Sequence, residues 1–190
     1  SRTSGERVSV ADWTRCLGEV LLYMDHLQEA QINFEESLAL YEEIGNIRAS
    51  ADMTAYLVHV ATLEEDWASV ASGLHHTLSL YARIFRESNR FSSGHMSDYT
   101  TPFINGLFCG ALMMHHHEQD ECAATMIGYA ATLSEANPQR PEPQIVARIA
   151  DTTKQLRQRL GDVRFEELLE TGRSMSAGEL LDLALKCIQG

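Results

Sequence analysis

Proline interrupts this chain at four positions only, and three of them, Pro138, Pro141 and Pro143, fall within six residues. Proline removes a backbone donor and clashes with the preceding turn, so its absence leaves long stretches open to helix. Within those stretches apolar residues recur at i, i+3, i+4 and i+7, the period of a helix with one buried face. Leu17, Val20, Leu21 and Met24 set a stripe over about 9–24, and Ala30, Phe34, Leu38 and Tyr41 set another over 28–44. Gly45 follows where a left-handed C-terminal cap is wanted. Further periodic segments cover about 47–63, 66–85, 102–117, 120–135 and 144–160, the last stopped by Gly161. Residues 87–101 are rich in turn formers and read as a loop. A short helix is expected from Asp162, with Phe165, Leu168 and Leu169 inward. A final one begins at Ser176, which forms an S-x-x-E capping box with Glu179 and buries Leu180, Leu181, Ala184, Leu185 and Ile188. The expected fold is all-α, with at least eight helices and no sheet.

The helical segments repeat. Gly18 and Leu21, then Ala30, Phe34 and Ser37, match the tetratricopeptide pattern, in which small residues let the two helices of a pair approach closely. Val70 and Leu74 occupy the places of Ala30 and Phe34 in a second unit, and Ala123 and Ile127 do so in a third. The third unit's first helix supplies Leu107, Gly110, Ala111 and Met114. The repeat expected is a TPR-like α-solenoid of antiparallel helix pairs with a C-terminal helical cap. Its layout is a linker at 1–8, three pairs over 9–135 (about 9–45, 46–86 and 102–135) and capping helices over 136–190. In the cap, Phe165, Leu168, Leu169, Leu181 and Leu185 are expected to cover the last repeat. Gly172-Arg173 is expected to be the turn between its helices, with Gly172 at positive φ.

Three segments carry a resemblance to a known family: residues 34–46, FEESLALYEEIGN; residues 122–130, CAATMIGYA; and a tail of Leu160-Gly161-Asp162, Phe165, Gly172-Arg173-Ser174-Met175-Ser176 and Ala184-Leu185. Together they resemble the C-terminal helical-repeat region of large bacterial signal-transducing NTPase regulators, of the LuxR-type, antibiotic-regulator-type and cyclase-fused kinds. The resemblance implies a sensor or interaction segment of a transcriptional regulator, with ATPase and output modules elsewhere in the parent chain. No phosphate-binding G-x-x-x-x-G-K-[ST] loop occurs in these residues.

The formal charge of −12, from 15 basic and 27 acidic residues, speaks against a phosphate-neutralising nucleic-acid surface and against anionic membranes. No apolar run of membrane-spanning length and no secretory leader is visible, so the cytoplasm is the expected location. The cysteines Cys16, Cys109, Cys122 and Cys187 form no C-x-x-C pair and are expected to be reduced core residues. Consecutive helical residues diverge by about 100°, so His115-His116-His117 cannot close on one metal and reads as a solvated helix end. Adjacent acidic residues such as Glu35-Glu36 and Glu64-Glu65-Asp66 read as a solvated face. Neither a catalytic motif nor a cofactor is expected.

In helix-pair repeats the first helix of each pair lines a concave groove. That geometry puts Asp12, Arg15, Glu19 and Tyr23 on the groove, joined by His59 and by Asn105, Phe108 and His115. This polar and aromatic mixture suits a protein or peptide segment, or a small-molecule effector. The alternatives are a scaffold or homo-oligomerisation module without a ligand, and a groove covered by the protein's own tail.

Overall fold

The structure, a computed structural model, describes residues 4–87, 100–137 and 141–189. Among the described residues it is all-helical, with nine helices and no strand: α1 (Ser4–Tyr23), α2 (Leu27–Ile44), α3 (Ile47–Leu63), α4 (Trp67–Glu87), α5 (Thr101–His116), α6 (Asp120–Ala136), α7 (Pro143–Leu160), α8 (Asp162–Ser174) and α9 (Ala177–Gln189). The loop expected over 87–101 falls almost wholly outside the described residues. Helix α1 already begins at Ser4, so most of the expected linker is its first turn, where Arg7 pairs with Glu43 of α2 at 3.0 Å.

The helices pack mainly on their chain neighbours, α1 on α2, α3 on α4 and α5 on α6. Each of these pairs turns in the same way. Asp25, Glu65 and Glu118 hold φ of 65°, 60° and 61°, a left-handed conformation uncommon for a residue with a side chain. In each turn the next amide reaches back to a carbonyl near the helix end: His26 to Leu21 at 2.9 Å, Asp66 to Ala61 at 2.9 Å and Gln119 to Met114 at 2.8 Å. Between α2 and α3 the expected cap forms. Gly45 lies at φ 77°, and the Asn46 side chain accepts from the Ala49 amide.

Small residues set the distance within and between pairs. A Cβ on Gly18 would lie 2.7 Å from the Phe34 ring, and one on Gly110 2.6 Å from Leu74. Ala30, Phe34, Val70, Leu74 and Ala123 are fully buried. The stripe on α1 departs from expectation. Its buried face is Ala11, Gly18 and Leu22, whereas Leu17, Val20 and Met24 are each more than half exposed. The apolar period is present on α1, but it marks the side turned away from α2.

The tail folds back as a cap. Helix α8 lies on α6, and α9 packs on α4 and α6. Phe165, Leu168, Leu180, Leu181 and Ala184 are buried, with Leu169, Leu185 and Ile188 partly so. The capping box forms, with Glu179 Oε2 accepting from the Ser176 amide at 2.8 Å and its hydroxyl at 2.7 Å. Gly172 is not the turn. It lies inside α8 without positive φ, and the chain turns at Met175-Ser176. Its lack of a side chain serves a close crossing, since a Cβ there would sit 1.9 Å from the Thr125 carbonyl oxygen of α6. A Cβ on Gly128 would likewise lie 2.2 Å from the Leu169 carbonyl oxygen in the same crossing. The cysteines depart as well. Cys122 at the start of α6 and Cys187 near the end of α9 are joined in a disulfide, leaving Cys16 and Cys109 as free thiols. No spacing motif announces this pair, because only the return of α9 over α6 brings it together.

Candidate functional site

The eight groove candidates separate into two groups. On α1, Asp12, Arg15, Glu19 and Tyr23 stay at or near the surface. The Tyr41 hydroxyl donates to Asp12 Oδ1 at 2.5 Å, and Tyr56 of α3 donates to Glu19 Oε1 at 2.9 Å. Arg15 is ion-paired to the same Glu19 oxygen. Burial, and then the Asp12 carboxylate, push the Tyr41 phenol up to about 12, and burial with Glu19 raises Tyr56 further. Both therefore remain neutral donors that fix the two carboxylates. Tyr56 also stacks flat on Phe34, ring centroids 4.6 Å apart, so the polar cluster is anchored to the α1–α2 core. Tyr23 takes no part and is 79% exposed.

The second group lies beneath or beside α7. The Glu142 amide donates to Asn105 Oδ1 at 3.1 Å, and Arg148 donates to the carbonyls of Thr62 and Leu63 at the end of α3. His115 is held between Asp120 at 2.7 Å and Gln155 of α7 at 3.0 Å. Helix α7 thus runs along α5 from Asn105 to His115 and leaves clefts only at its sides. His115 is accordingly not the solvated helix-end residue expected, and its partners are Asp120 and Gln155 rather than any i, i+4 neighbour. Phe108 is buried and lines a cleft of about 850 Å³ with Pro143, Val146 and Ile149. His59 is 1% exposed, and neither ring nitrogen has a partner; Asn105 Nδ2 lacks one too. Burial, then the Arg148 charge, lowers the His59 imidazole to about 4.

Several residues that matter here were not singled out from the sequence. Tyr41 reads as a core aromatic and Tyr56 carries no expectation from the sequence; only their hydroxyl contacts reveal the task they share. Forty residues after the Asp12–Tyr41 pair, Asp52 and Tyr81 repeat it at 2.5 Å, with Thr100 donating to the same carboxylate at 2.6 Å. The recurrence of Asp and Tyr at one separation was a usable signal. Trp67 stacks on His116, centroids 4.7 Å apart, at the edge of a polar cleft of about 500 Å³ that also holds Arg148, Gln155 and Arg159. In that cleft Arg148 already serves carbonyls and Arg159 serves Asp120, so no unpaired cation faces it. The free Cys109 thiol is buried and pushed up to about 12, a form unsuited to nucleophilic attack.

Among the described residues no group of three or more His, Cys, Asp or Glu side chains is placed to hold a metal ion, and no helix is long and apolar enough to cross a membrane. What the fold defines, among the described residues, is an all-α protein. No family model, curated protein or solved structure matches this chain.

Proposed function

We propose that the chain is a TPR-like α-solenoid of three helix pairs with a helical cap, and that it works as a protein-binding segment of a larger bacterial regulator. The sequence resemblance to the signal-transducing NTPase regulators suggests that setting. In it, the ATPase and output modules lie elsewhere in the parent, and this segment neither catalyses nor carries a cofactor. The recurrence of one turn geometry and one Asp–Tyr contact along the stack supports the repeat reading.

One observation carries the assignment of binding. Helix α7 packs over the α5 part of the groove and reaches the end of α3 through Arg148, while α1 keeps its surface open, with Trp13, Leu17, Val20, Tyr23 and Met24 each more than half exposed beside the Asp12–Glu19 cluster. Large exposed apolar residues set beside charge are a common composition of a protein-recognition surface. The partner is a protein or peptide segment, and any small-molecule effector would have to use the clefts beside α7. The same stripe also favours a second reading, a scaffold that self-associates through α1. A cytoplasmic regulator would keep most cysteines reduced, so the Cys122–Cys187 bond is the contact whose state the compartment decides.

Selection of displayed helical peptides against the chain, with counter-selection against Val20→Glu, tests the reading. Peptides that bind the parent chain and lose at least tenfold on the variant are expected. Failure to enrich any α1-dependent sequence would sink it, and a concentration-dependent dimer abolished by Val20→Glu would favour the scaffold.

A further inference from the structure

The exposed side of α1 has a counterpart that is covered. The first two helix pairs superimpose in sequence at an offset of 40: Ala11 with Ala51, Asp12 with Asp52, Ala30 with Val70, Phe34 with Leu74, and Tyr41 with Tyr81. The structure keeps the same offset. The left-handed turn residues Asp25 and Glu65 obey it, as do the two Asp–Tyr hydrogen bonds. Under this offset Trp13, Leu17, Val20 and Tyr23 fall on Met53, Leu57, Val60 and Leu63 of α3. Those four α3 residues pack into the N-terminal core with Ala30, Phe34 and Tyr41 of α2, and Met53 and Val60 are buried. Half-exposed Cys16 falls on Tyr56, which stacks on Phe34. So the positions that α3 uses to receive the preceding helix pair are the positions at which α1 shows large apolar side chains to solvent.

Resting on the reading of α1 as a recognition surface, we infer that this face receives one further helix pair of the α1–α2 build, joined to α1 as α2 is joined to α3. Its second helix would present the α2 face, a small residue, an aromatic four residues on and a tyrosine seven further. A second copy of the chain has no such face to offer. The α2 face is taken by α3, that of α4 by α5 and α9, and that of α6 by α8. The stack is therefore closed at its C-terminal end and open at α1.

The test adds residues 4–46 a second time, fused directly ahead of Arg7 so that the offset of 40 is kept. Trp13→Phe in the added copy and Trp67→Phe leave the original Trp13 as the one tryptophan, excited selectively at the red edge where tyrosine does not absorb. Expected are a gain in helix proportional to the added length, a blue shift of Trp13 emission and a several-fold loss of acrylamide quenching relative to the unextended chain. Val20→Glu in the original α1 should reverse these changes in the extended chain and leave the thermal midpoint of the unextended chain unaltered. Three results overturn the inference, the first two being an extension that stays unfolded and one that is helical while Trp13 remains fully quenched. A third is an unextended chain that already buries Trp13 in a dimer by sedimentation. If peptides dependent on Val20 are still selected while the extension fails to dock, the binding surface stands and only the identity of its occupant falls.

Discussion

At the scale of single residues, glycine and histidine carry the most information. Gly172 sits where a Cβ would press on the Thr125 carbonyl at 1.9 Å and approach the Tyr129 amide nitrogen at 3.0 Å. Both neighbours are backbone and cannot rotate away, so α8 would have to lift from α6. Gly172→Ala is expected to destabilise the chain by about 3 kcal/mol, at the upper end of overpacking costs, read as a lower urea midpoint. In sequence a glycine has two meanings, a turn with positive φ or a close approach of backbones, and nothing adjacent to Gly172 separates them. His59 gives a pH dependence. Its folded value of about 4 lies below the ordinary 6.5, so the unfolded chain binds the extra proton between those values. The neutral imidazole costs nothing above about pH 6.5, and stability is lost as the pH falls from there toward 4. His59→Leu should remove an unpartnered buried ring and flatten that loss. Urea titrations at pH 7 and pH 5 check it, and an unchanged difference between the two would show that His59 titrates normally.

Among the elements, the helix bodies and most of their buried faces were legible, and the face of α1 was not. Proline position, apolar period and the caps at Gly45 and Ser176 locate the helices to within a few residues, because these are local properties of the chain. The stripe on α1 is also local, but which side of it meets α2 depends on Phe34, and the small residues Ala11 and Gly18 make the inner face almost invisible to a hydrophobic period. Three of the eight candidate residues, Asp12, Arg15 and Glu19, do come together, and Tyr23 stays at the open surface. His59, Asn105, Phe108 and His115 are covered because α7 returns along α5, a contact between distant segments that no local pattern encodes. The cap is the element most open to test. Removing residues 162–190 takes α8 and α9 away and uncovers the α6 face bearing Gly128 and Tyr129. Self-association or aggregation of the shortened chain is expected in size-exclusion chromatography. A monomer with the parent's helicity per residue would mean that the tail serves something other than coverage.

For the molecule as a whole, long-range order rests on two devices of different kinds. Helix pairs stacked in chain order give mostly near-neighbour contacts, a topology that folds locally. The cap does the opposite, bringing α9 back to α4 and α6. The Cys122–Cys187 bond fixes that return across 65 residues. Its consequence is mechanical. When the two ends of the chain are pulled apart, α1 to α5 can unravel to full length, but the segment between the joined cysteines cannot. With roughly 3.5 Å per extended residue, about 230 Å of thread stays hidden in the oxidised chain. Single-molecule stretching should therefore give a contour longer by about that amount after reduction, or in Cys187→Ser. Equal contours in both states would show that the two sulfurs are not bonded in solution. While the bond holds, a tug on the N-terminal pairs cannot peel the cap away as a free thread, and the last four helices behave as a knot in the rope.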